Sequence, residues 1–372
     1  MRDVVITGIG IVSCAGEGLD GHLAALSGAP NTDGETFAPF PVHPVTALEW
    51  DRQIPKKSDQ RQMEAWQKLG CYAAGLALDS AGVKDDAGLK GRMQLIVAAG
   101  GGERDYTVDG QILTGLCTAE NPGVFLNERL MGDLRPTLFL AQLSNLLAGN
   151  ISIVHGVTGG SRTFMGEESS GVDAIRIARE RIAAGQDDIF LVGGAYNAER
   201  PDVLLIYEMG GFLWKKPYAP VWTRPAEGGG MILGSAACFL VLESREHAAA
   251  RGAKPLAAIA GVASDRSRRK PGSVEQALHG LSKQLDGKPD LVISGATGVK
   301  GITEEEQAAL KDIAPGVPVH ATGDLIGHAI EAQAPAGVAL AAGLIANGKA
   351  SDALVTSVGH WRGEGALRLT KA

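Results

Sequence analysis

Short β-branched runs alternate with Ala/Leu-rich helical patterns along most of this chain, and about two thirds of the way along the order starts again. Val4-Val5-Ile6-Thr7 precedes a helical pattern around Gly21 to Leu26. Leu95-Ile96-Val97 follows one around Met63 to Ala81, and Ile189 to Val192 follows one around Val172 to Ala184. Apolar runs without polar alternation are what strands show when helices cover both of their faces. After Arg251-Gly252-Ala253-Lys254 come further strand-like runs at Ala257 to Val262, Leu291 to Ser294 and Ala353 to Thr356. Helical patterns near Glu304 to Ile313 and Ala334 to Ala346 separate them. The order predicts an α/β protein of two βαβ-rich halves, residues 1–250 and 251–372, in one compact unit without a low-complexity linker.

Composition narrows the function. The 372 residues carry 35 Lys+Arg against 42 Asp+Glu, a formal charge of -7 with no basic block, which excludes the footprint of a nucleic-acid binder. Glycine, at 51 residues, is roughly twice its usual share and follows no fixed period, as expected of many tight strand-helix junctions. Cys14, Cys71, Cys117 and Cys238 form no C-x-x-C pair and lie outside ligand spacing of a histidine, so neither a disulfide framework nor a metal site is expected. Val4 to Ile11 is broken by Gly8 and Gly10 and reads as a buried strand entering a tight turn, not as a secretory leader. Ala332 to Ala346 is too short for a bilayer and holds Pro335. No membrane insertion is expected, and the expected location is the cytoplasm.

The helix after Glu168 carries most information. Val172, Ile175, Ala178 and Ile182 recur at helical spacing; Glu167, Glu168, Ser169 and Ser170 supply start signals, and Gly185 a stop. Arg176, Arg179 and Arg181 toward its end complement the helix dipole. On these grounds alone Glu168 is a helix-start carboxylate.

Several stretches resemble condensing enzymes of the thiolase fold, the elongating β-ketoacyl-acyl carrier protein synthases. Val4-Val5-Ile6-Thr7-Gly8-Ile9-Gly10-Ile11-Val12-Ser13 is similar to the family's first strand. Leu191-Val192-Gly193-Gly194-Ala195 resembles the strand after its nucleophile helix. Arg224-Pro225 through Gly230-Met231-Ile232-Leu233-Gly234, Leu240-Val241-Leu242-Glu243 and Glu246-His247-Ala248 to Lys254 look like further family segments, and Gly327-His328 completes the ordered set. The resemblance implies a five-layered αβαβα architecture of two similar halves.

The family's chemistry uses a cysteine at a helix N-terminus, two histidines that stabilise an enolate, a lysine near the second histidine and a Phe gate in a glycine-rich loop. Carried over residue by residue, the resemblance puts Glu168 at the nucleophile position. A carboxylate attacking a thioester would give a mixed anhydride, more reactive than its precursor, so it cannot store an acyl chain. Gly295 stands where the first histidine belongs, with Thr297 and Glu306 retained around it. Thr297 is then expected to bind substrate, and Glu306 to make a structural contact within the site. The second histidine is His328; the lysine position is Gly323, and the gate reads Gly359-His360-Trp361-Arg362. Without its partners His328 is most simply a satisfied buried histidine, and His360 a packing, gating or substrate-binding residue.

The resemblance implies no cofactor, only the phosphopantetheine of an acyl carrier protein as substrate arm, and a homodimer or a heterodimer with an active ketosynthase. Loss of these groups together fits a catalytically degenerate subunit similar to chain-length factors, which shape a partner's acyl tunnel. Pro136 to Leu147 is similar in position to the family's dimer and tunnel helix. Similarity to the shorter member of the synthase pair for very-long-chain acyl groups of lipid A is also expected. The alternative is an enzyme in its own right, decarboxylating malonyl carrier protein or condensing.

Overall fold

A computed structural model describes residues 1–134 and 136–372, with all their side chains except those at 136 and 137. Strand β1, Val4–Ser13, is buried along its whole length. Gly8 and Gly10 do not turn it. A Cβ at Gly10 would lie 2.0 Å from the Ala73 carbonyl oxygen, and one at Gly8 2.5 Å from that of Ala77. These glycines let helix α1, Ala65–Ser80, lie directly on the strand. The expected turn comes later, between β1 and a short hairpin strand at Gly16–Glu17.

The remaining strands of the main sheet are β2 Gln94–Ala98, β3 Ser161–Phe164, β4 Ile189–Tyr196, β5 Ala236–Ser244 and β6 Ala257–Asp265, followed by β7 Leu291–Ser294, β8 Val319–Ala321, β9 Asp352–Val358 and β10 Glu364–Thr370. They run in the order β8-β7-β9-β10-β6-β1-β5-β4-β2-β3. In the first half β3, β2 and β4 are parallel while β5 and β1 follow antiparallel. The second half repeats this: β8, β7 and β9 are parallel, β10 and β6 antiparallel. The halves meet where Val5 pairs with Ala258 and Ile6 with Ala257.

Helices α2 Leu146–His155, α3 Glu168–Ala183, α4 Pro201–Met209, α5 Ser273–Gln284, α6 Ile302–Ile313 and α7 Gln333–Ala346 complete the frame used below. Both α3 and α7 touch strands of both halves and each other, so they form the central layer. With α1 outside the first half-sheet and α5 and α6 outside the second, the layers alternate αβαβα, the thiolase-like arrangement expected. The apolar run in α7 is explained by that position: the helix is buried nearly all round, as a central-layer helix must be. Among the described residues no helix is long and apolar enough to cross a membrane. The expected helix over 136–147 is split into Pro136–Ala141 and the start of α2 at Leu146.

Candidate functional site

The N-terminus of α3 builds the site. Glu167, just before it, holds φ 56 and ψ -135, a conformation that costs a non-glycine residue about 1–3 kcal/mol. The serines are not caps in the expected sense: Ser169 Oγ donates to the Gly166 carbonyl (2.7 Å) and Ser170 Oγ to that of Glu167 (2.6 Å), bracing the strained turn. The turn leaves Glu168 as the first helical residue, with 1% of its surface exposed. Glu168 is therefore a helix-start carboxylate in position, but it faces the interior and not solvent.

Two histidines from the other half converge on it. His328 is held by short-strand pairing with Leu233; its N–H donates to the Ile232 carbonyl (2.8 Å), and its carbonyl accepts from Gly234 (3.2 Å). Its Nε2 lies 2.7 Å from Glu168 Oε1. His360, beyond the end of β9, reaches the same oxygen twice, from its backbone N–H (3.1 Å) and from Nδ1 (2.8 Å). Its ring meets Tyr207 and Phe212 edge-on, each at 5.0 Å between centroids. His328 is buried, 1% exposed, with Glu168 as the partner of its Nε2, while its Nδ1 has none among the described residues. His360 is likewise a direct contact of Glu168 as well as a packing residue.

Electrostatics follow from this crowding. Burial opposes ionisation of Glu168, but the His360 charge and hydrogen bonds from both imidazoles outweigh it and hold the carboxyl well below the usual range. Burial likewise opposes the imidazolium of His360, yet the carboxylate of Glu168 outweighs it and raises its pKa. Glu167, half-buried, is pushed up mainly by desolvation. The centre is a carboxylate pinned between imidazoles, and a carboxylate engaged by three donors at one oxygen is a weak nucleophile.

Gly295 follows β7, and a Cβ there would sit 2.8 Å from the Thr356 carbonyl oxygen; one at Gly323 would meet the Ala296 carbonyl at 3.1 Å. Thr297 is buried, and its hydroxyl accepts from the Val299 N–H (3.1 Å) and faces Thr303 (3.4 Å), so it is engaged locally. Glu306, fully buried on α6, accepts from Ser294 Oγ (2.8 Å) and Thr356 Oγ1 (2.6 Å), with burial pushing it up to about 7. Among the described residues no thiol lies at the start of α3. Cys14, Cys71 and Cys238 are buried, with pKa values raised by burial, that of Cys14 to about 11, and Cys117 is exposed.

Sequence spacing missed three things. Folding brings Cys14 Sγ within 3.6 Å of His43 Nδ1. It also brings ligand atoms of Glu167, Glu168 and His360 within 4.8 Å of one another, a set able to hold a cation only if the imidazole-carboxylate contacts open. The third is Glu331, 4% exposed, three residues after His328 on a turn where Ile330 holds φ 38. Its backbone presses on the central layer closely enough that a Cβ on Gly171 or Gly194 would fall 2.8 Å from its carbonyl oxygen. Burial, then the charges of Glu168 and Glu167, push its carboxyl up to about 8. An acidic residue at the head of an Ala-rich buried segment was the available signal.

A two-half αβαβα frame whose first-half helix N-terminus meets a second-half histidine across the central layer defines a thiolase-fold condensing-enzyme scaffold. The family model for the beta-ketoacyl synthase N-terminal domain matches residues 1–248, and the chain belongs to the β-ketoacyl synthase family. It is 27% identical to 3-oxoacyl-[acyl-carrier-protein] synthase 2 of Vibrio cholerae over 321 residues, 82% of this chain and 71% of that protein. It is 28% identical to the ketoacyl synthase beta subunit of the tetracenomycin polyketide synthase of Streptomyces glaucescens over 344 residues, covering 87% of this chain and 81% of that protein. With nodulation protein E of Rhizobium meliloti it shares 31% identity over 274 residues, 70% of this chain but 62% of that protein. Among solved structures it resembles the ishigamide ketosynthase/chain length factor, with TM-score 0.82, 21% identity and coverage of 100% and 99% of the two chains. A type II polyketide acyl-carrier protein in complex with its ketosynthase gives TM-score 0.78 at 18% identity, with full coverage of both chains.

Proposed function

We propose that the chain is a catalytically degenerate member of a ketosynthase pair, acting in the cytoplasm beside an active synthase and an acyl carrier protein. The observation that carries this reading is the Glu168 carboxylate, locked by His328 and His360 at the position where the family resemblance puts the acyl-accepting thiol. It can neither accept an acyl chain downhill nor welcome a second anion. Gly295 and Gly323 stand where the resemblance puts the first histidine and the lysine, and neither carries a side chain that could take those roles.

Surface chemistry supports a partner. Strand β3 ends the sheet with one edge unpaired, and beside it Ile153 on α2 and Met165 just after β3 are 72% and 62% exposed. Phe139 and Leu140, in the 136–147 segment matched to the dimer helix, are also exposed, and Ser144 of that segment reaches Met165 (3.3 Å). Exposed apolar groups beside an open sheet edge suit a protein interface. A ketosynthase/chain length factor is among the structural neighbours. The very-long-chain acyl groups of lipid A remain the specialised substrate we propose for the pair.

The reading is tested by supplying acyl and malonyl carrier proteins to the purified chain alone and with candidate synthases. Condensation in the mixture only is the expected result. Decarboxylation of malonyl carrier protein by the isolated chain, abolished in His328→Ala, would instead favour an enzyme in its own right, a reading that the retained imidazole keeps open.

A further inference from the structure

Helices α5 and α6 pack side by side on the outside of the second half, with Val274, Leu278 and Leu281 of the first and Ala309 and Leu310 of the second buried beneath. Glu305 of α6 ties the pair at one end: its carboxylate accepts from the backbone N–H groups of Gly272 (2.7 Å) and Val274 (2.9 Å). Glu275 and His279, one helical turn apart on α5, share a face. Asp312, near the end of α6, meets that face, and one ligand atom from each of the three residues lies within 4.8 Å of the other two. Cysteine spacing gives no sign of this set, because its donors are an imidazole and two carboxylates brought together only when the helices pack.

The spacing suits an ion better than a proton. His279 Nε2 and Asp312 Oδ2 stand 3.6 Å apart. A charge-assisted hydrogen bond would close to about 2.7–2.9 Å. Two ligands of a tetrahedral ion with bonds of about 2.0–2.2 Å are instead about 3.3–3.6 Å apart. Among the described residues neither Glu275 nor Asp312 has a Lys or Arg within ion-pair distance, so both carboxylates are free to ligate. Their two charges match a divalent cation. The imidazole favours a zinc-like ion over Mg2+, which prefers oxygen ligands and gives up its water reluctantly. The His279 and Asp312 side chains are 33% and 70% exposed, which leaves them free to close on an ion and leaves room for water in its remaining positions.

We infer that Glu275, His279 and Asp312 form a surface site for a divalent ion of the zinc class, which staples α5 to α6. The site is independent of the partner reading, since it shares no residue with the Glu168 centre.

The test is titration calorimetry of the full chain with Zn2+ and with Mg2+, in a Cys117→Ser background that removes the exposed thiol. Loss of an outer-shell partner alone costs about 10–100-fold in metal affinity, so His279→Ala, which removes a ligand, is expected to weaken Zn2+ binding at least about tenfold. Glu275→Gln and Asp312→Asn, which keep size and remove charge, are each expected to weaken it as well. Zn2+ is expected to raise the melting temperature of the parent but not of His279→Ala, because an ion held only by the folded chain stabilises it. No saturable Zn2+ binding by the parent, binding unchanged by His279→Ala or by Asp312→Asn, Mg2+ bound as tightly as Zn2+, or equal thermal shifts in parent and His279→Ala would each overturn the inference.

Discussion

Glu168 Oε1 and His328 Nε2 stand 2.7 Å apart although 160 residues separate them in the chain, joining the first-half nucleophile helix to the second-half histidine. With His360 on the same oxygen, the three side chains form a buried electrostatic cross-link. Removing one member of such a cluster leaves the others desolvated and unpaired. Glu168→Ala is expected to cost about 3–5 kcal/mol, the range for breaking a buried ion pair, read as a shift in the urea-unfolding free energy. A change below about 1 kcal/mol would show that the histidines repartner readily.

Placing sulfur at this position is not expected to give turnover. Glu168→Cys is expected to give no condensation with acyl and malonyl carrier proteins, because the Gly295 and Gly323 positions still lack their side chains. Adding Gly295→His is expected to destabilise, since even a Cβ there lies 2.8 Å from the Thr356 carbonyl. Product formation by the single variant, followed by radiolabelled malonyl transfer, would show that the remaining centre suffices.

Stability has an acid-side optimum set by the cross-link. The depressed pKa of Glu168 makes its contribution present above the unfolded value, about 4.3, and lost as pH falls through the folded value. The raised pKa of His360, which faces Glu167, Glu168 and Glu331, makes its contribution full below about 6.5 and lost as pH rises through the folded value. Both are present between about pH 4.3 and 6.5. His360→Asn is expected to flatten the fall in melting temperature above that window; an unchanged profile would remove His360 as its source.

Glu331 pulls in the same direction for a different reason. Its folded pKa of about 8 exceeds the unfolded value, so the unfolded chain releases its proton first and stability declines as pH rises toward 8. Glu331→Gln is therefore expected to raise the melting temperature at pH 8 relative to wild type by more than at pH 5. Equal shifts at both pH values would place the proton elsewhere.

Much of the fold is legible in the sequence because burial writes itself as apolar runs. Val4 to Ile11, Leu291 to Ser294 and the helix from Val172 onward lie within the elements found. Gly8 and Gly10 misled because glycine signals a turn and a close helix contact with the same letter; only the position of Ala73 and Ala77 distinguishes them. Family resemblance placed Glu168, His328 and His360 near one site, but no local pattern joins residues 160 and 192 positions apart to one carboxyl oxygen. Thr297 keeps its motif position, and its hydroxyl accepts from the backbone of its own loop.

No acyl chain is expected to be held covalently on this polypeptide. Intact-mass spectrometry after incubation with acyl carrier protein and an active synthase tests it directly. This chain is expected to keep an unchanged mass while the synthase gains the acyl increment; an acyl adduct on this chain, mapped to Glu168 or to any cysteine, would show that it carries the acyl group itself.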